Sequence, residues 1–138
     1  MDYIICTEAF ILKLKLSIFE DDIHLSSNTI MDVFVKSNGF SGCSTMNINI
    51  KDFAKFSSNL NGIYETLTGE ARIEEPYGMH MYISFNGDGQ GHITVKGYLH
   101  SGDRIGNEHS LEFENCIDQT CLKDFCQSLH TSYSKYVR

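Results

Sequence analysis

The sequence has a single proline, Pro76, no tryptophan, and no Ser/Gly-rich or Pro-rich run. With neither a linker nor a low-complexity tract, residues 1–138 are expected to fold as one domain. Long apolar runs are missing too. The longest falls well short of the roughly 18 residues that cross a bilayer, so a membrane protein is not expected. The segment Met1–Glu8 lacks a basic n-region, and Lys13 and Lys15 interrupt the apolar residues that follow. This is unlike a signal peptide and implies a cytoplasmic protein. Cations are scarce: 11 Lys and Arg against 18 Asp and Glu give a net charge of −7. Such a surface repels nucleic acid and anionic lipid. Cys6, Cys43, Cys116, Cys121 and Cys126 form an odd, irregularly spaced set, which predicts reduced thiols and no disulfide framework.

What is present is hydrophobic periodicity. Leu12, Leu14, Leu16 and Ile18 alternate with Lys13, Lys15 and Ser17 as in a half-buried strand. A second strand is expected from about Thr29 to Lys36, ended by Ser37-Asn38-Gly39, and a third at Met46, Ile48 and Ile50. At Lys51 the period changes: Phe53, Phe56, Leu60, Ile63 and Leu67 recur every three or four residues, on one face of a helix, with Gly69 placed to take the left-handed stop position. Strands resume at Ala71–Glu75 and break at Pro76-Tyr77-Gly78. Met79, Met81, Ile83 and Phe85 then alternate, as do Ile93, Val95 and Leu99 across the turn cluster Asn86–Gly91. Keeping the apolar faces together pairs Phe85 with Ile93 and Met81 with Gly97. Leu111 and Phe113 mark a last strand, and Asp118 is placed to cap a terminal helix bearing Leu122, Phe125, Leu129 and Tyr133. The expected class is α+β: a twisted, mainly antiparallel sheet of about 6–7 strands, one inserted helix at about 51–67 and one C-terminal helix at about 119–132, both on one face.

Candidate chemistry fails on spacing. In that hairpin His80 faces Tyr98 and His92 lies about 20 Å away at ~3.4 Å per residue, so the two cannot share a metal. His80 and His100 are diagonal neighbours without an evident acidic or thiol ligand beside them. Cys116, Cys121 and Cys126 are five apart, unlike a zinc knuckle, and suit small thiols beside a helix stripe. Asn86–Gly91 imitates the start of a calcium loop, but its twelfth position is Gly97 where a glutamate is needed. Gly87, Gly89 and Gly91 also lack the spacing and following helix of a dinucleotide loop. Gly39-Phe40-Ser41-Gly42-Cys43 does not fit a nucleophile elbow, because a strand and not a helix follows. The carboxylate runs Glu74-Glu75 and Glu20-Asp21-Asp22 lack the contrasting environments of a catalytic pair. No catalytic residue, cofactor or metal is expected.

One combination of segments is more specific. Ile50-Lys51-Asp52-Phe53-Ala54-Lys55-Phe56 with Leu60, Thr68-Gly69-Glu70-Ala71, Gly91–Leu99, Leu111-Glu112-Phe113-Glu114, and Asp118-Gln119-Thr120 with Leu122 and Phe125 occur in that order. The stretch Met46–Leu129 resembles the WapI family of bacterial immunity proteins. The resemblance implies a non-enzymatic antitoxin that binds a cognate contact-dependent toxin domain in the producer's cytoplasm and covers its active site or substrate surface. The acidic balance suits a toxin with a basic groove, such as a nuclease. Glu65, Glu70, Glu74 and Glu75, offset only by Arg72, are the densest acidic segment and the expected contact surface, with Glu20, Asp21 and Asp22 next. A ligand-binding or homo-oligomeric sheet domain is the alternative, and monomer and homodimer both remain open.

Overall fold

A computed structural model describes residues 2–76, 80–102 and 104–137. In chain order the elements are β1 (Asp2–Cys6), β2 (Phe10–Ile18), β3 (Thr29–Ser37), β4 (Phe40–Ile48), α1 (Ile50–Thr66), β5 (Thr68–Glu74), β6 (Tyr82–Asp88), β7 (His92–Gly102), β8 (Glu108–Asp118) and α2 (Lys123–Tyr133). The α+β class and both helices are as expected. Among the described residues the strands number eight and form two four-stranded antiparallel sheets, β1-β2-β3-β4 and β5-β6-β7-β8. Alternation identifies strands without saying which ones pair. Here α1 carries the chain out of the first sheet, and β5 begins a new one.

Leu12, Leu14, Met31, Val33, Val35, Met46 and Ile48 bury the inner face of the first sheet; Ala71, Ile73, Ile83, Phe85, Ile93 and Val95 do so on the second. The helices fill the space between them. Six rings run in contact through this interior: Tyr3 to Tyr133 (5.7 Å), Tyr133 to Phe53 (5.2 Å), Phe53 to Phe56 (5.6 Å), Phe56 to Phe85 (5.9 Å) and Phe85 to Phe125 (6.3 Å). These centroid spacings are favourable for aromatic pairs, and the series ties β1, α2, α1 and β6 into one core. Tyr3 donates a hydrogen bond to the Tyr133 hydroxyl at 3.0 Å, and burial holds the Tyr133 pKa above its ordinary value.

At their far ends the sheets meet directly. Ser44 donates its hydroxyl to the His100 carbonyl at 2.5 Å, Asn115 Nδ2 donates to Ser37 Oγ at 2.8 Å, and Phe10 stacks on Phe113 at 5.9 Å.

The helix ends depart from expectation. Asn49 caps α1, its Oδ1 accepting from Lys51 N at 2.8 Å, while buried Asn28 accepts from Ile50 N at 2.9 Å. The left-handed stop is Leu67 (φ 67°), not Gly69, and Leu67 N donates to the Ile63 carbonyl. Asp118 makes no side-chain capping bond; a 3-10 turn, Gln119–Leu122, leads into α2. The β6–β7 register is two residues away from the expected one, with Phe85 opposite Val95, Ile83 opposite Gly97 and Tyr82 opposite Tyr98. A two-residue slip preserves every side chain's face, so the hydrophobic pattern could not decide it. Tyr77, Gly78 and Met79, expected in the break and the strand start, lie outside the described residues. No helix among the described residues is long and apolar enough to cross a membrane.

Candidate functional site

Each sheet turns one face to the helices and the other outward. On the second sheet the outward positions fall into rows fixed by the register. Glu74, Tyr82, Tyr98 and Glu112 form one row across all four strands; Arg72, Ser84, Lys96 and Glu114 form the next; Glu70, Asn86, Thr94 and Cys116 the third. Two half-buried tyrosines therefore sit between carboxylates on the two edge strands. At ~4.8 Å between strands, Glu74 and Glu112 are about 14 Å apart. Beyond the third row Asp88, His92 and Asp118 extend the face. Its carboxylates outnumber Arg72 and Lys96, so the field over it is negative.

The cations on this face are locally engaged. Arg72 lies over the Tyr82 ring at 3.9 Å and reaches Glu74 Oε2 at 3.3 Å, and Lys96 meets Glu114 at 3.2 Å. Glu70 and Glu112 make no ion pair among the described residues. At the β6–β7 tip, Asp88 accepts hydrogen bonds from Gln90 N at 2.7 Å and His92 N at 3.2 Å, with His92 Nδ1 at 3.1 Å from its other oxygen. These bonds, the one from Gln90 above all, hold the Asp88 pKa below its ordinary value. The glycine-rich tip that imitates a calcium loop is thus a hairpin clasp built on Asp88.

The seven expected contact carboxylates are dispersed. Glu70 and Glu74 share the outer face just described. Glu65 is exposed near the end of α1, where Asn61 Nδ2 donates to it at 3.3 Å. Glu75 is only 7% exposed and its Oε2 accepts from Asn47 N at 2.8 Å, so it belongs to the fold and not to the acidic surface. Glu20, Asp21 and Asp22 form an exposed 3-10 turn between β2 and β3, where the Tyr136 hydroxyl donates to Glu20. Glu112 and Glu114, with Tyr82 and Tyr98, escaped the sequence reading. The two glutamates lie roughly 40 residues from Glu70 and Glu74, and only strand order brings all of these residues onto one face.

The other candidate groups are scattered as well. His80 is exposed with a φ of 60°, His100 is largely buried, and His92 pairs with Asp88. Among the described residues no three His, Cys, Asp or Glu side chains gather as a metal site would require. Ser41 and Cys43 are exposed on β4. Cys126 is buried with its Sγ 3.8 Å from the Leu60 carbonyl, and burial pushes its thiol up to about 12.

No curated protein and no solved structure matches the chain. A family model does: that of the immunity protein WapI-like family, over residues 10–137, which takes in all of β2 to β8 and both helices. The chain belongs to the WapI-like immunity protein family.

Proposed function

We propose that this immunity protein neutralises a cognate toxin domain by binding it, without catalysis, and that the outer face of the second sheet makes the contact. The observation that carries the surface assignment is the row Glu74-Tyr82-Tyr98-Glu112, with Glu70 and Glu114 beside it. Tyrosines give a large, rigid, amphipathic contact, and interface hot spots are enriched in them. The surrounding carboxylates steer a basic partner and repel nucleic acid, as an inhibitor covering the basic groove of a nuclease should. Membership of an immunity family supports the toxin as partner. The cell compartment that fits is the cytoplasm of the bacterium that makes the contact-dependent toxin.

The test is binding to the toxin domain encoded beside the gene, measured at two salt concentrations for wild type, Glu70→Lys/Glu112→Lys and Tyr98→Ala. Neither glutamate is needed for an ion pair, so both charge changes should leave the fold intact. The expected result is a slower association for the charge variant, with a smaller salt dependence than wild type, and a faster dissociation for Tyr98→Ala. Unchanged rates in both would remove the face. A loss confined to Glu20→Lys/Asp21→Lys/Asp22→Lys would move the contact to the β2–β3 turn.

A further inference from the structure

On the outer face of the second sheet one pairing of residues occurs twice. The register sets Tyr82 directly opposite Glu74 on β6 and β5, and Tyr98 directly opposite Glu112 on β7 and β8. Residues so placed have Cβ atoms about 4.5–5.5 Å apart, close enough for one cation to touch the ring and the carboxylate together. The first pair holds such a cation. The Arg72 guanidinium lies 3.9 Å from the Tyr82 ring centroid, and its Nε donates to Glu74 Oε2 at 3.3 Å. A guanidinium can do both at once, because its planar face stacks on the ring while its N–H groups point outward along the edge.

The second pair lacks its cation. Arg72 stands two residues before Glu74 on β5, whereas the residues two away from Glu112 on β8 are Ser110 and Glu114. Along β7, Lys96 is held by Glu114 at 3.2 Å, and His100 is largely buried with its Nε2 3.9 Å from Glu108. Arg104 lies beyond the end of β7. Among the described residues no cation or second ring lies over Tyr98, and none pairs with Glu112. Tyr98 is half-buried and Glu112 exposed. The charge left uncommitted beside Tyr98 is therefore the carboxylate of Glu112.

We propose that Tyr98 and Glu112 receive an arginine side chain of the toxin, its guanidinium stacked on the Tyr98 ring and hydrogen-bonded to the Glu112 carboxylate, as Arg72 is on Tyr82 and Glu74. The proposal rests on the outer face of the second sheet being the toxin contact, and it names the group which that face takes. Lysine fits less well: its ammonium is compact and strongly hydrated, and has no planar face to lay on the ring.

The experiment is nuclear magnetic resonance titration of the labelled protein with end-capped hexa-arginine and hexalysine. The two peptides carry the same charge, so the acidic face attracts both and the difference between them isolates the guanidinium. Hexa-arginine should bind at least about threefold more tightly, with its largest shifts at Tyr98 and Glu112. The preference should persist in Tyr98→Phe, vanish in Tyr98→Leu and shrink in Glu112→Gln; the glutamine variant covers the case in which Tyr98→Leu unfolds. In the toxin domain encoded beside the gene, one arginine changed to lysine should weaken binding to wild type by at least about threefold and leave binding to Tyr98→Leu unchanged. Equal affinities for the two peptides, a preference untouched by Tyr98→Leu or by Glu112→Gln, or a toxin with no such arginine would each overturn the proposal. The two readings fail separately. Equal peptide affinities, with toxin association still slowed in Glu70→Lys/Glu112→Lys, overturn the arginine site and keep the face. Toxin rates unchanged in that variant and in Tyr98→Ala overturn both.

Discussion

Glu75 Oε2 accepts a hydrogen bond from the backbone amide of Asn47 at 2.8 Å. The bond joins the residue after β5 to the end of β4, across the two sheets, beside the start of α1. Glu74, one residue earlier, points outward into an ion pair with Arg72. Two adjacent glutamates of identical chemistry thus sit in unrelated settings, one joining the two sheets and one exposed on the outer face of the second.

That division is measurable. Glu75→Gln removes a charge-assisted bond and should cost about 1.5–3 kcal/mol; Glu74→Gln, on the surface, should stay within about 0.5 kcal/mol. Urea midpoints at constant slope compare them. Equal midpoints for the two variants would show that the Glu75 contact contributes nothing to the fold.

The aromatic series gives a second prediction. Phe56 and Phe125 are buried on α1 and α2, each touching Phe85, whereas Phe40 is 68% exposed at the β3–β4 turn. Phe56→Ala and Phe125→Ala should each cost about 3–5 kcal/mol, and Phe40→Ala less than about 0.5 kcal/mol. Thermal or denaturant unfolding of the three variants settles the order. A destabilisation by Phe40→Ala as large as the others would mean that the turn is packed.

These helix residues were legible in the sequence because a stripe with a period near 3.6 has one interpretation: Phe53, Phe56, Leu60 and Ile63 are all buried as the spacing demands. Strand alternation at Leu12–Ile18 and Met81–Phe85 was equally plain. The pairing of strands was not. Phe85 against Ile93 and Phe85 against Val95 bury the same face, and only the turn at Asp88 distinguishes them. β1 went unread because its five residues, Asp2–Cys6, show too few turns of the pattern. For the same reason the candidate site was half visible. Glu70 and Glu74 stand out as a local cluster, whereas Glu112, Tyr82 and Tyr98 join them only through a strand order that composition does not encode.

Glycine positions provide a third prediction, with opposite signs at two sites. A Cβ on Gly97 would lie 2.3 Å from the Phe113 ring and 2.9 Å from the Tyr82 carbonyl, while one on Gly62, within α1, would meet nothing within 4 Å. Gly97→Ala should destabilise by about 1–3 kcal/mol through overpacking. Gly62→Ala should stabilise by roughly 0.8–1 kcal/mol through helix propensity. A melting temperature that moves in the same direction for both would contradict the packing of Phe113 over β7.

The thiols separate by burial and supply the last prediction. Cys6, Cys43 and Cys116 are exposed, Cys121 is intermediate, and Cys126 is buried against the Leu60 carbonyl with its thiol raised to about 12 from 9.0 by burial. Because the thiolate is the reacting form, an aromatic disulfide reagent at pH 8 should modify three thiols fast, Cys121 more slowly, and Cys126 only as the protein unfolds. Cys126→Ser should leave the fast amplitude unchanged, and Cys43→Ser should lower it by one thiol. The same shift sets a pH dependence whose sign follows from linkage. The folded thiol holds its proton more tightly than the unfolded one, so its contribution to stability is intact below about pH 9 and is lost as the pH rises toward about 12. In Cys126→Ala that part of the alkaline loss should disappear while the neutral-pH stability falls by the lost packing. A fast-reacting Cys126, or an alkaline profile identical in the alanine variant, would show that the thiol is not sealed between α1 and α2.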